Sequence, residues 1–149
     1  MNGDWKIGDF GTTTAGTERR LLISSKQRGT TSYMGPELFP EHGDAQFNQM
    51  SDIFALGCIT WELFFQNIAF PTLSSVYEYA RRQTVLARPP VPPHVNASRG
   101  VAENAVTLVL WCLAWQSEQR PTAATVSGYC FELTNSLLQP LVQQPTAVV

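Results

Sequence analysis

Charge is what this sequence has least of. Charged residues make up 15% of the chain, against roughly 25% in an average domain. That shortage points to a chain much of which expects to be covered, by a part that is absent. The formal net charge is −2, so the balance gives no reason to expect a nucleic-acid partner or an anionic membrane. Cysteine is also scarce. Cys58, Cys112 and Cys130 lie far apart, each inside an apolar stretch. This odd set is no disulfide framework, and we read the three as small buried hydrophobes in a reducing compartment. His42 and His94 do not supply the paired spacing of a zinc site. The first residues, Met1 to Lys6, carry neither a basic region nor an apolar run, so they do not form a signal peptide. The longest near-apolar run, Ile53 to Phe65, contains Glu62 and is too short to span a bilayer. The expected location is therefore cytoplasmic, with the nucleus also open.

What is present is the material of one globular domain: 149 residues, 44% of them apolar. Trp5-Lys6-Ile7 is a short strand candidate closed by Gly8. From Asp9 to Ser32 no apolar periodicity is sustained, and the composition predicts a long exposed loop, usually a functional feature in a compact domain. Pro36 to Phe39 predicts a short helix with proline at its first position. The strongest helix follows, capped by Ser51, with Asp52 complementing its dipole. It is apolar on every side, as the buried centre of a helical domain should be. Three more helices are expected: from the capping-box spacing at Ser75–Glu78 to about Leu86, from Ala102 to Leu113, and from Pro121-Thr122 through Leu137. The prolines from Pro89 to Pro93 make a stiff extended connection.

Asp9-Phe10-Gly11 follows the strand candidate and opens the loop. A carboxylate there suits Mg²⁺, and the ion can bridge to phosphates; taken alone, the tripeptide is equally a turn. Read in order with the rest, the pattern becomes specific. Lys6-Ile7-Gly8-Asp9-Phe10-Gly11 resembles the metal-binding motif of eukaryotic protein kinases. Gly29-Thr30-Thr31-Ser32-Tyr33-Met34-Gly35-Pro36-Glu37 resembles the close of the kinase activation segment, with Gly35 where alanine is usual. Ser51-Asp52-Ile53-Phe54-Ala55-Leu56-Gly57 is similar to the start of the large central helix of the C-lobe. Cys112-Leu113 with Glu118-Gln119-Arg120-Pro121-Thr122 resembles its final stretch. The resemblance spans about Trp5 to Leu138, in family order, and Gly29-Thr30 before Tyr33 is the serine/threonine style.

The resemblance implies a mainly α, protein-kinase-like C-lobe: a helical bundle around a buried central helix, with a short strand and a long activation segment at its N-terminus. The implied division is a partial kinase domain over 1–138, with an activation segment 9–37 and a helical lobe 38–138, and a flexible tail over 139–149. It implies that Asp9 binds Mg²⁺ on the ATP phosphates, and that Phe10 and Gly11 complete that motif. Thr30 is expected to face the protein substrate and the catalytic loop. Glu37 is expected to pair with Arg120, and Asp52 to support the catalytic loop from beneath. Outside the family setting these last would be a loop threonine, a surface salt bridge worth at most about 1 kcal/mol, and a helix-start aspartate. Ser24, Ser25 and Thr31 are candidate phosphorylation sites near Lys26 and Arg28.

A working kinase also needs a glycine-rich loop, a lysine with its glutamate partner, and an H-R-D-x-x-x-x-N loop. The chain contains no H-R-D. The expectation is therefore a truncated piece of a serine/threonine kinase, a family that uses Mg²⁺ and ATP, inactive by itself and binding neither tightly. Its partners would be a protein substrate and the missing small lobe. The alternatives are a non-catalytic kinase remnant acting as an interaction module and, more remotely, an adaptor working through its proline-rich connection.

Overall fold

The computed structural model describes residues 6–8, 10, 22–24, 30–39, 45–82, 86, 89–93, 95 and 99–138. In chain order these form β1 (Leu22–Ser24), 3₁₀ turns at Thr31–Tyr33 and Pro36–Leu38, β2 (Ala45–Phe47), α1 (Gln49–Phe65), α2 (Leu73–Arg82), α3 (Arg99–Cys112), a 3₁₀ turn at Ser117–Gln119, and α4 (Ala123–Leu138). The fold is mainly α, with α1 at its centre. The expected strand at Trp5–Ile7 falls partly outside the described residues, and Lys6 to Gly8 adopt no regular element. The strands lie elsewhere: β1 and β2 pair antiparallel, Leu22 opposite Phe47 and Ser24 opposite Ala45. The tail over 139–149 lies outside the described residues.

Helix α1 begins earlier than its serine suggested. Asn48, in extended backbone, is the cap, and its carboxamide oxygen accepts the Met50 N–H at 2.8 Å. A short polar side chain satisfies a first-turn donor from the residue before the helix, which Ser51, already inside the first turn, cannot do. The Ser51 hydroxyl is instead buried without a hydrogen-bond partner among the described residues. At the other end Gln66 takes a left-handed conformation (φ 56°) and its N–H closes onto the Glu62 carbonyl at 2.8 Å.

Although α1 is apolar all round, its burial is one-sided. Ile53, Phe54, Gly57 and Cys58 face the core, while Leu56, Ile59 and Leu63 are 41%, 43% and 56% exposed. Those three recur at helical spacing and form one uncovered stripe. The core itself has two parts. Phe54, Cys58, Phe70, Val76, Tyr79, Val109 and Leu113 join with Met34 and Phe39. Met50, Ile53, Leu108, Cys112 and Val126 form the second. Phe70 links Phe54 and Tyr79, with ring centroids 5.5 and 5.2 Å apart. The Tyr79 hydroxyl, which would be costly to bury unpaired, donates to the Leu113 carbonyl at 2.5 Å.

Helices α2 to α4 start and stop a few residues from the expected positions. Helix α2 begins at Leu73, not Ser75, because Thr72 and Ser75 cap each other's backbone N–H groups, both at 3.2 Å. Helix α4 buries only Val126 among its described side chains, with Tyr129 and Leu133 half-buried. Cys130 is therefore exposed, contrary to the reading of all three cysteines as buried; Cys58 and Cys112 are buried.

Gly57 sits where α1 crosses α3. A methyl group on it would lie 2.9 Å from the Cys112 Cβ and 2.9 Å from a Leu113 methyl. Gly128 in α4 faces nothing within 4 Å. Alanine normally stabilises a helix interior by up to about 1 kcal/mol over glycine, yet overpacking costs about 1–3 kcal/mol. Urea unfolding should therefore show Gly57→Ala destabilising and Gly128→Ala stabilising. A gain at both positions would refute the close crossing.

Candidate functional site

The described part of the molecule converges on Arg120. Pro121 follows it, a placement that favours extended backbone, and Arg120 is extended (φ −74°, ψ 149°) at the end of the Ser117–Gln119 turn. From there its side chain enters the core, fully buried. The Nε–H donates to the Ala114 carbonyl at 2.8 Å. One terminal nitrogen donates to Glu37 Oε1 at 2.7 Å and to the Met50 carbonyl at 2.8 Å. The other donates to Glu37 Oε2 at 2.8 Å and to the Trp115 carbonyl at 3.3 Å. Every N–H of the guanidinium thus has an acceptor. Its carbon lies 4.8 Å from the centre of the Phe54 ring, within cation–π range.

Glu37 reaches this position from the Pro36–Leu38 turn, where Pro36 sets the first residue and Gly35 precedes it in extended backbone. A Cβ on Gly35 would lie 2.6 Å from both Glu37 carboxylate oxygens. Glycine at this position therefore leaves room for the carboxylate to fold back over the chain toward Arg120. Upstream, Tyr33 fastens the same segment to α1, its hydroxyl donating to Glu62 Oε2 at 2.9 Å. That bond, with partial burial and the nearby Glu62 charge, holds the Tyr33 phenol above its ordinary pKa. Met34 and Phe39 are buried in the core beside it. Residues 30–39 are thus fixed by a bidentate ion pair, a tyrosine hydrogen bond and two apolar anchors. Tyr33–Glu62 was not anticipated from sequence, since a residue pair so distant in the chain leaves no local signal.

The other expected site residues are less drawn together. Thr30 and Thr31 are exposed at the start of this segment. Asp52 is exposed in the first turn of α1 with no side-chain partner among the described residues; partial desolvation raises its carboxyl pKa. Phe10 is exposed. Asp9, Gly11 and Ser25 lie outside the described residues, and Ser24 sits at the end of β1. Among the described residues no group of three or more histidine, cysteine or acidic side chains could hold a metal ion. No helix among them is long and apolar enough to cross a membrane.

A family profile for the protein kinase domain matches residues 1–131, and the chain belongs to that family. It is 31% identical over 145 residues, 97% of its length, to the serine/threonine-protein kinase RUNKEL of Arabidopsis thaliana, covering 10% of that protein. To the calcium/calmodulin-dependent protein kinase cmkB of Emericella nidulans it is 30% identical over 122 residues, covering 82% of this chain and 29% of that one. Leucine-rich repeat serine/threonine-protein kinase 1 of Caenorhabditis elegans is 27% identical over 128 residues, 84% of this chain and 5% of that protein. The chain thus spans less than a third of each of these relatives.

Burial beside Arg120 sets the behaviour of two thiols. Desolvation pushes Cys58 up to about 12 and Cys112 up to about 11, outweighing the guanidinium charge that pulls both down. Because folding raises these values from 9.0, the folded state holds the protons more tightly. The stabilisation is complete below pH 9 and is lost as pH rises toward 11–12. Urea midpoints should fall across that window, and less steeply in Cys58→Ala. A midpoint that does not change with pH there would contradict the burial.

Proposed function

We propose that this chain is the helical lobe of a serine/threonine protein kinase, an enzyme passing the γ-phosphate of ATP to protein serine or threonine. The observation that carries the reading is the Glu37–Arg120 pair, its arginine fully buried and its glutamate half-buried, joining the end of the segment 9–37 to the base of the lobe. A substrate-facing segment must be held still, because phosphoryl transfer depends mainly on positioning and charge stabilisation. Residues 9–37 act as the activation segment, 38–138 as the rest of the lobe and 139–149 as a tail. Thr30 faces the protein substrate, and Ser24, Ser25 and Thr31 are the residues available for regulatory phosphate.

In the complete enzyme ATP would supply the phosphoryl group and Mg²⁺ would neutralise its charge, with Asp9 as this chain's contribution to holding the metal. The unpartnered Asp52 carboxylate accepts backbone N–H groups of the catalytic loop. The stripe formed by Leu56, Ile59 and Leu63 is covered by the remainder of the kinase, which also explains the low charge of the chain. These 149 residues alone transfer no phosphate, since they contain no H-R-D loop and no lysine–glutamate pair for the nucleotide.

The test is the 5′ end of the native transcript together with a phosphotransfer assay. A longer reading frame encoding the lysine, its glutamate and the H-R-D loop should give an active product that Asp9→Asn inactivates. The 149-residue chain should be inactive and should bind a hydrophobic dye. Serine at Leu56, Ile59 and Leu63 together should remove most dye binding. Phosphotransfer by the short chain, or activity of the longer one undiminished by Asp9→Asn, would overturn the reading.

A further inference from the structure

We infer that β1 and β2 form a releasable latch that ties the middle of the 9–37 segment to the start of α1 and to the Arg120 anchor. The inference rests on the reading of that segment as an activation segment, and it adds how the segment is held. The strands pair antiparallel over three residues each, Leu22 opposite Phe47, Ile23 opposite Gln46 and Ser24 opposite Ala45. Strand β2 packs against the Pro36–Leu38 turn, which carries Glu37. The residue after β2 is Asn48, the cap of α1, whose oxygen holds the Met50 N–H. The Met50 carbonyl in turn accepts from Arg120. The pairing therefore connects through β2 to both acceptors of one guanidinium nitrogen.

Its dimensions make the latch reversible. A two-stranded ribbon is marginal in water even when longer than this, and pairing strands so far apart in the chain adds an entropic cost. Opening would leave the Arg120 hydrogen bonds intact, because they run through Glu37 and Met50 and not through β1. The element thus has a closed state, with β1 on β2, and an open state of comparable free energy. Ser24, one of the candidate phosphoacceptors, occupies the last register position, where a phosphate would add nearly two negative charges to the ladder end.

Amide hydrogen exchange of the 149-residue protein, followed by NMR, tests this. Those amides of residues 22–24 and 45–47 that point at the partner strand should exchange about tenfold more slowly than in free peptide, as befits a locally opening unit. Ile23→Pro should raise exchange at 45–47 to the free-peptide rate, and Gln46→Pro should do so at 22–24, because proline disrupts a strand ladder. Exchange in α3 should not change. If Gln46→Pro unfolds the lobe, seen as faster exchange in α3, then Ile23→Pro carries the test alone. Free-peptide rates in the unaltered chain, or an opposite strand indifferent to proline, would refute the latch. Coupled exchange beside an inactive longer product would sink the kinase reading and leave the latch. Uncoupled exchange beside an active product would do the reverse.

Discussion

The guanidinium of Arg120 is held out of water with all its N–H groups donated, and the arrangement of this lobe depends on that one group. Removing such a cation from water costs several kcal/mol, and the cost is offset only where every donor finds an acceptor and the charge finds a counter-charge. Here the acceptors come from four places: Glu37 in the segment preceding the helices, Met50 at the start of α1, and the Ala114 and Trp115 carbonyls after α3. Phe54, at the centre of the larger core cluster, lies against the same group. A surface pair of identical residues would contribute at most about 1 kcal/mol. With the guanidinium fully buried and the Glu37 carboxylate half-buried, the pair ties the position of Glu37 to the packing of α1 and α3.

The helices were legible in the sequence because helical periodicity and capping chemistry are local. Leu108, Val109 and Cys112 mark the covered side of α3, and the cap of α1 was missed by only a few residues, since Asn48 and Ser51 are both competent caps. The depth of Arg120 was not legible. The sequence showed an arginine before a proline and a glutamate after one, a pattern equally compatible with an exposed pair. Only the convergence of turns distant in the chain buries it. The same limit applies to Tyr33 with Glu62 and to β1 with β2, both non-local pairings. Cys130 was misjudged for a related reason: apolar neighbours along α4 do not reveal that the helix outruns the surface it packs on.

The one-sided burial of α1 connects the composition to the family. A helix apolar all round is normally enclosed, yet Leu56, Ile59 and Leu63 are open, and Asp52 heads the same helix without a side-chain partner among the described residues. A chain spanning less than a third of the kinases it matches would have such a face if the rest of the fold lies against it. Residues 30–39 are by contrast anchored wholly inside this chain, through Glu37, Tyr33, Met34 and Phe39.

The most direct test of that account is a double-mutant cycle on unfolding free energy, using Glu37→Gln, Arg120→Met and the pair together. Breaking one side of a buried ion pair leaves an uncompensated group, so each single variant should lose about 3 kcal/mol or more, and the double variant should lose far less than their sum. A coupling of about 2 kcal/mol or more would establish the buried pair as the tie between segment and lobe. Additive losses below about 1 kcal/mol each would mean a solvated surface contact, and the central claim would fall.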